Sequence, residues 1–198
     1  MAKVDTSLIQ RLREITGLGM MDCKNALDQT NGDLEKAIDV LRKKGAAVAA
    51  KRADKSTAEG IVASYIHPGS QIGVLVELNC ETDFVASTAD VKNFANDLCM
   101  HIAAIKPLYL TPQEVDPKFI EHEKEILREQ LAQSGKAGKF VDQIIEGKLK
   151  KVFSEICLVK QPFVKDDQYT VEQALEHLIA KTGEKIVIRR FARYEVGL

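Results

Sequence analysis

The chain has 198 residues, 45% of them hydrophobic, with 28 basic against 29 acidic side chains and a formal net charge of −1. That apolar content supplies one ordinary packed domain with a small satellite, and the even charge balance argues against a general nucleic-acid binder, which carries a concentrated basic field. No apolar run approaches the roughly 18–20 residues that span a bilayer, and MAKVDTSLIQ holds no apolar signal stretch, so a cytoplasmic place and no membrane partner are expected.

Residues 1 to 44 predict three short helices. The first carries Leu8, Leu12 and Ile15 on one face and stops at Gly17. The second runs from about Met20 to Thr30 and stops at Asn31-Gly32, after which Asp33 caps a third with Leu34, Ala37, Ile38 and Leu41 inward. Gly45 to Lys55, GAAVAAKRADK, mixes small residues with charges and lacks a sustained apolar stripe; it reads as a helix-prone linker that closes the satellite domain near residue 55.

From Gly60 the period changes to two. Ile61, Ala63 and Tyr65 alternate with polar or smaller neighbours, HPGSQ turns the chain, and Ile72, Val74, Val76 and Leu78 return, which predicts an antiparallel hairpin. Val91, Phe94, Ala95, Leu98, Ile102 and Ile105 describe a helix over it that Pro107 ends. Residues 117 to 158 hold two helical patterns separated by SGKAG, with Val141, Ile144, Ile145, Leu149 and Val152 facing inward in the second. Thr170 and Gln173 form a capping-box signature, Gly183 closes that helix, and a third strand follows from Ile186 to Val196. The fold class expected is α+β: a three-helix module (1–55), then a small antiparallel three-stranded sheet packed with helices (56–198).

Chemistry-bearing patterns are sparse. Neither GxxxxGK[ST] nor GxGxxG occurs, and the nearest cluster, SGKAGK at 134–139, has the wrong spacing and reads as a helix connector. Cys23, Cys80, Cys99 and Cys157 form no CxxC pair and read as buried thiols rather than disulfides or a zinc site. His67, His101, His122 and His177 are scattered. Nothing local supports Cys80 as a nucleophile with a histidine base: Cys80 reads as buried at a strand end, His101 as a packed, hydrogen-bonded core residue. No catalytic residue, metal or cofactor is expected.

Two segments carry more than one reading. In NCETDFVA (79–86) an apolar strand runs into a polar turn bearing an aromatic. Asp83 caps the next helix and Phe84 staples it to the core, or the pair forms an exposed carboxylate beside an apolar wedge. In TGLGMMD (16–22) the methionines pack the three-helix core, or line an adaptable binding surface beside a glycine turn. Residues 1–55 hold 11 Lys and Arg against 8 Asp and Glu, a formal +3 that is too weak to imply DNA binding.

At LREITGLGMMDCKNAL (12–27), NGDLEKAI (31–38), LRKKG (41–45) and ELNCETDFVA (77–86) the chain resembles the elongation factor Ts family, and QPFV (161–164) and IRRFARYEVG (188–197) carry the likeness to the C-terminus. The resemblance implies a ubiquitin-associated-like three-helix domain before a core or dimerisation domain. It implies a guanine-nucleotide exchange factor that acts without covalent chemistry on GDP-bound elongation factor Tu, disturbing the magnesium and phosphate site so that GDP leaves and GTP binds. By the same resemblance Thr82, Asp83, Phe84 and Val85 insert against the GTPase domain and dislocate magnesium, and Arg13, Met20 and Met21 touch that domain too. With one hairpin-bearing core unit and no room for an added coiled-coil hairpin, the chain resembles the short form, in which two copies pair as a homodimer. Ser87 stands where many relatives carry a basic residue after TDFVA. A rival reading has the three-helix module capture ubiquitin-like or nascent-chain partners, with the rest as a dimeric scaffold.

Overall fold

The computed structural model describes residues 5–133 and 140–197; the connector read at 134–139 lies outside the described residues. Helix α1 (Thr6–Thr16) starts where the Asp5 carboxylate accepts from the Ser7 N–H and ends at Gly17 in the left-handed region. Helix α2 (Met20–Gln29) stops before Asn31 and Gly32, both at positive φ. Helix α3 (Leu34–Lys51) is capped by Asp33, whose side chain accepts from the Lys36 N–H at 3.1 Å. The three helices close a core of Ile9, Leu12, Cys23, Ala26, Leu27, Ala37 and Leu41.

The first difference from the sequence reading is that α3 does not give way to a linker at Gly45; it stays helical to Lys51. The small residues that deny it an apolar stripe are a close-packing seam. A Cβ on the buried Gly45 would stand 3.3 Å from the Ala180 Cβ and 3.5 Å from the Glu176 carbonyl oxygen, so glycine lets the two backbones approach. Val48 and Ala49, one turn on, pack against the main core.

That core lies under a sheet. Strand β1 (Glu59–Ile66) pairs antiparallel with β2 (Ile72–Cys80) across the HPGSQ turn, where the His67 N–H donates to the Ile72 carbonyl at 2.9 Å. A single helical turn, α4 (Asp83–Ala86), leads into α5 (Ala89–Ile105), which lays Val91, Phe94, Ala95, Leu98 and Ile102 on the inward face of β2. Pro107 follows Lys106, the left-handed residue that ends α5.

Helices α6 (Pro117–Gln133) and α7 (Val141–Ile156) share a separate cluster of Leu127, Leu131, Ile145 and Leu149. Helices α6 and α7 are thus the helical pair expected from the two periodic patterns, with an apolar seam of their own. A second ribbon went unpredicted: β3 (Pro162–Phe163) pairs with β4 (Asp166–Thr170). Strand β3 has two residues and β4 reads DDQYT, too short and too polar for an alternation to show.

Helix α8 (Val171–Thr182) opens on the expected capping box of Thr170 and Gln173 and closes at Gly183. Strand β5 (Ile186–Glu195) completes the sheet beside β2 in the order β1-β2-β5, with a bulge opposite Glu77 and Leu78. Arg42 of α3 sits over the Tyr169 ring at 4.3 Å, and that ring meets His177 edge-on at 4.7 Å, a second seam between the helical module and the core.

Candidate partner-binding site

The NCETDFVA segment emerges where β2 ends. Cys80 faces Ile186 as the last register pair of β2 and β5, and the chain then turns through α4 into α5. Thr82, not Asp83, is the cap of that turn: its hydroxyl oxygen accepts from the Val85 N–H at 3.3 Å. Thr88 repeats the device one turn later for α5 through the Val91 N–H. Val85 and Ala86 point into the core, at 6% and 2% exposure.

A one-turn helix that buries those two must turn its other side outward. Phe84 is accordingly 78% exposed, so it staples nothing, and the reading of Asp83 as cap and Phe84 as staple is overturned. A phenylalanine this bare gains nothing from burial in the free chain. Asp83 and Thr82 are exposed beside it, whereas Val85 is largely core.

The methionines resolve the same way. Cys23, Ala26 and Leu27 fill the inward face of α2, leaving Met20 and Met21 at 51% and 65% exposure, so core packing does not account for them. A shallow recess lies between the helical module and the core. Arg13, Gly17 and Met20 contribute one wall, and Phe84, Thr88 and Lys181 the other. Lys181 pairs with Asp90 at 2.6 Å, and the bare α-carbon of Gly17 faces it. Arg13, Met20 and Phe84, more than sixty residues apart in sequence at the extremes, thus border one surface; Met21 is exposed next to it.

Sequence reasoning missed the groups that hold the turn. The Glu184 carboxylate accepts from the Thr82 N–H at 3.1 Å and from the Thr82 hydroxyl at 2.9 Å. The Glu81 carboxylate accepts from the Lys185 N–H at 2.6 Å and from one guanidinium nitrogen of Arg52 at 2.8 and 2.9 Å. The Lys185 N–H, helped by Arg52 and opposed by desolvation, holds the Glu81 carboxyl below its ordinary range. The Lys185 ammonium donates in turn to the carbonyls of Ala53 and Lys55. Glu81 adjoins the recognisable motif, but nothing in the sequence ties it to residues a hundred positions on.

Cys80 and His101 are both held by burial rather than presented as a nucleophile and a base. Burial, reinforced by the Glu184 charge, pushes the Cys80 thiol up to about 11, which keeps it protonated. His101 is fully buried with both ring nitrogens engaged, Nδ1 accepting from the Val164 N–H at 3.2 Å and Nε2 donating to the Gln161 side-chain oxygen at 2.9 Å. It is the packed core histidine that was expected. All four cysteines are buried and free, and no group of three or more His, Cys, Asp or Glu side chains could hold a metal ion among the described residues. Nor is any helix there long and apolar enough to cross a membrane.

A second exposed surface lies on the outer face of the sheet, where Val62, Ile66, Leu75 and Tyr194 are open around an Arg190–Glu77 ion pair of 2.6 Å.

Residues 5–198 match the family model described as "Elongation factor TS". The chain is 55% identical over 194 residues to the elongation factor Ts of Syntrophus aciditrophicus, covering 98% of this chain and 96% of that protein. It is 53% identical over 197 residues to that of Desulforamulus reducens, covering 100% and 91%. A further relative, from Caldanaerobacter subterraneus, is 53% identical over 194 residues, covering 98% and 97%.

Proposed function

The chain belongs to the elongation factor Ts family of translation elongation factors, and from that premise we propose that it is the guanine-nucleotide exchange factor for elongation factor Tu. It binds the GDP-loaded GTPase in the cytoplasm, disturbs the magnesium and phosphate site, and lets GDP leave so that GTP enters. The observation that carries this reading is the near-complete exposure of Phe84 on a capped, anchored turn beside Asp83. Residues 1–55 supply the docking surface through Arg13, Met20 and Met21, and residues 56–198 carry the wedge, Thr82 to Val85.

In a P-loop GTPase the phosphates rest on backbone N–H groups, a lysine and a magnesium ion that demands near-octahedral geometry. Phe84 inserts between elements of the GTPase and exchanges water for apolar surroundings. Asp83 brings its charge toward the ion, and Val85 backs the turn from the core. Small displacements there weaken nucleotide binding. Linkage makes the effect reciprocal: whatever factor the wedge takes from nucleotide affinity, nucleotide takes from the affinity of this chain, so incoming GTP expels it. No bond is made or broken on this chain.

Two copies pair through the outer sheet face, whose apolar residues a monomer leaves in water. The test of exchange is stopped-flow release of fluorescent GDP from elongation factor Tu at fixed magnesium. Catalytic amounts of the chain should accelerate release, and Phe84→Ala should slow it by at least about tenfold with unchanged circular dichroism. A Phe84→Ala protein that exchanges at the wild-type rate refutes the wedge. No acceleration by the wild-type chain favours the reading in which the helical module captures other partners.

A further inference from the structure

Local support for the wedge turn is limited to the Thr82 cap, the bonds of one helical turn and the burial of Val85 and Ala86. Helix α4 has four residues, far below the length at which a helix sustains itself in water, and Phe84 contributes no packing to hold it. The turn also leaves the sheet at an awkward point. Past the last pair, Cys80 and Ile186, strands β2 and β5 run out of rungs. The N–H groups of Thr82 and Lys185 would face one another's segments without carbonyl partners. Two carboxylates take the place of the missing rungs in a crosswise manner. Glu184 accepts from the N–H of Thr82, and Glu81 accepts from the N–H of Lys185. Each segment thus holds the other's backbone by a charge-assisted bond.

The Glu184 carboxylate adds the Thr82 hydroxyl, the same oxygen that caps the turn through Val85. Glu81 adds Arg52, the residue that ends α3. We propose that Glu81 and Glu184 are positioning residues for nucleotide exchange, a reciprocal clamp that fixes the Thr82–Ala86 turn so that Phe84 is presented in its working geometry before the GTPase arrives. The inference rests on the exchange-factor reading above. Neither glutamate needs to touch the partner. Their contribution is to lower the ordering cost of the wedge, which a loose turn would meet only at the moment of insertion.

The test uses the full chain and elongation factor Tu loaded with fluorescent GDP, titrated to saturation. Glu184→Ala and Glu81→Ala should each lower the saturating release rate by about tenfold. The half-saturating concentration should move less than about threefold, because Arg13, Met20 and Met21 are untouched. Glu184→Gln keeps an acceptor oxygen for the Thr82 N–H or hydroxyl and should restore most of the rate. Amide exchange supplies a second reading: the Thr82 and Val85 N–H groups should lose protection in Glu184→Ala while Val76 and Leu78 keep theirs.

A Glu184→Ala chain with the wild-type saturating rate overturns the clamp and leaves the exchange-factor reading standing. So does a loss of rate matched by lost protection along all of β2, which marks a merely structural role. Failure of the wild-type chain to accelerate release overturns both.

Discussion

Acidification from pH 7.5 to 5.5 should destabilise the fold through one histidine. His101 is fully enclosed, its Nδ1 accepts from the Val164 N–H and its Nε2 proton goes to Gln161. Burial holds its pKa below the ordinary value of 6.5, and the Gln161 bond offsets only part of that. A proton added to Nδ1 would meet a donor, not an acceptor. The folded chain therefore resists a proton that the unfolded chain takes up near pH 6.5, and stability falls as pH drops through that value. At pH 5.5 the loss for this residue is bounded on the order of 1 kcal/mol, what a chain that takes up the proton only when unfolded would lose one pH unit below the ordinary value, or a melting temperature lower by at most about 4 °C for a chain of this size. His177 is shifted the same way, by burial first and then by Arg42; being only partly buried, it adds less. Carboxylates held low, such as Glu81 and Glu195, lose their contribution only below the ordinary carboxylate range, so the two windows separate. Differential scanning calorimetry at constant ionic strength reads the effect. His101→Leu should melt lower at every pH, since Gln161 and the Val164 N–H lose their partner, yet its dependence between pH 7.5 and 5.5 should flatten. A slope unchanged by His101→Leu refutes the assignment.

Gly60→Ala should lower the melting temperature by about 5 °C or more, because the new Cβ would stand 2.1 Å from the Leu78 carbonyl oxygen and 2.9 Å from the Asn79 Cα; a melt within 1 °C of wild type, on the order of measurement error, would show that β1 relaxes freely. Gly45→Leu should cost about 1–3 kcal/mol by forcing α3 away from Ala180 and Glu176, read by chemical denaturation, and an unchanged midpoint would mean that the seam is not tight. Leu75→Glu places a charge on the open sheet face beside Glu77 and should convert the proposed dimer to monomer in sedimentation while circular dichroism stays constant; a dimer that survives it uses another surface.

Helix ends were legible because their chemistry is local. Gly17, Asn31-Gly32, Asp33, the Thr170–Gln173 box and Gly183 each act on a backbone group within a few residues. The alternation of Val74, Val76 and Leu78 exposed β2 because one face of it meets α5. Gly45 to Lys51 looked like a linker because its partner, α8, lies 130 residues downstream, and only that partner turns small side chains into an advantage. The site was legible as a motif and not as a geometry. Asp83 and Thr82 are both good cap residues, and it is Thr82, bonded to Glu184 from a hundred residues downstream, that reaches the Val85 N–H. Exposure of Phe84 follows from Val85 and Ala86 taking the inward positions, a choice made by the depth of the core.

The continuity of α3 has one more consequence. Eighteen helical residues make a rod of about 27 Å, with its first half in the helical core and its last residues joined through Arg52 to the segment that carries Phe84. A stiff rod anchored at both ends holds the helical module against the core, and with it the two walls of the recess, without spending chain entropy when a ligand arrives. In the proposed exchange reading, engagement of the surface around Met20 would find Phe84 already in place across the same recess at a high effective concentration, so the two contacts would act as one rigid bivalent ligand.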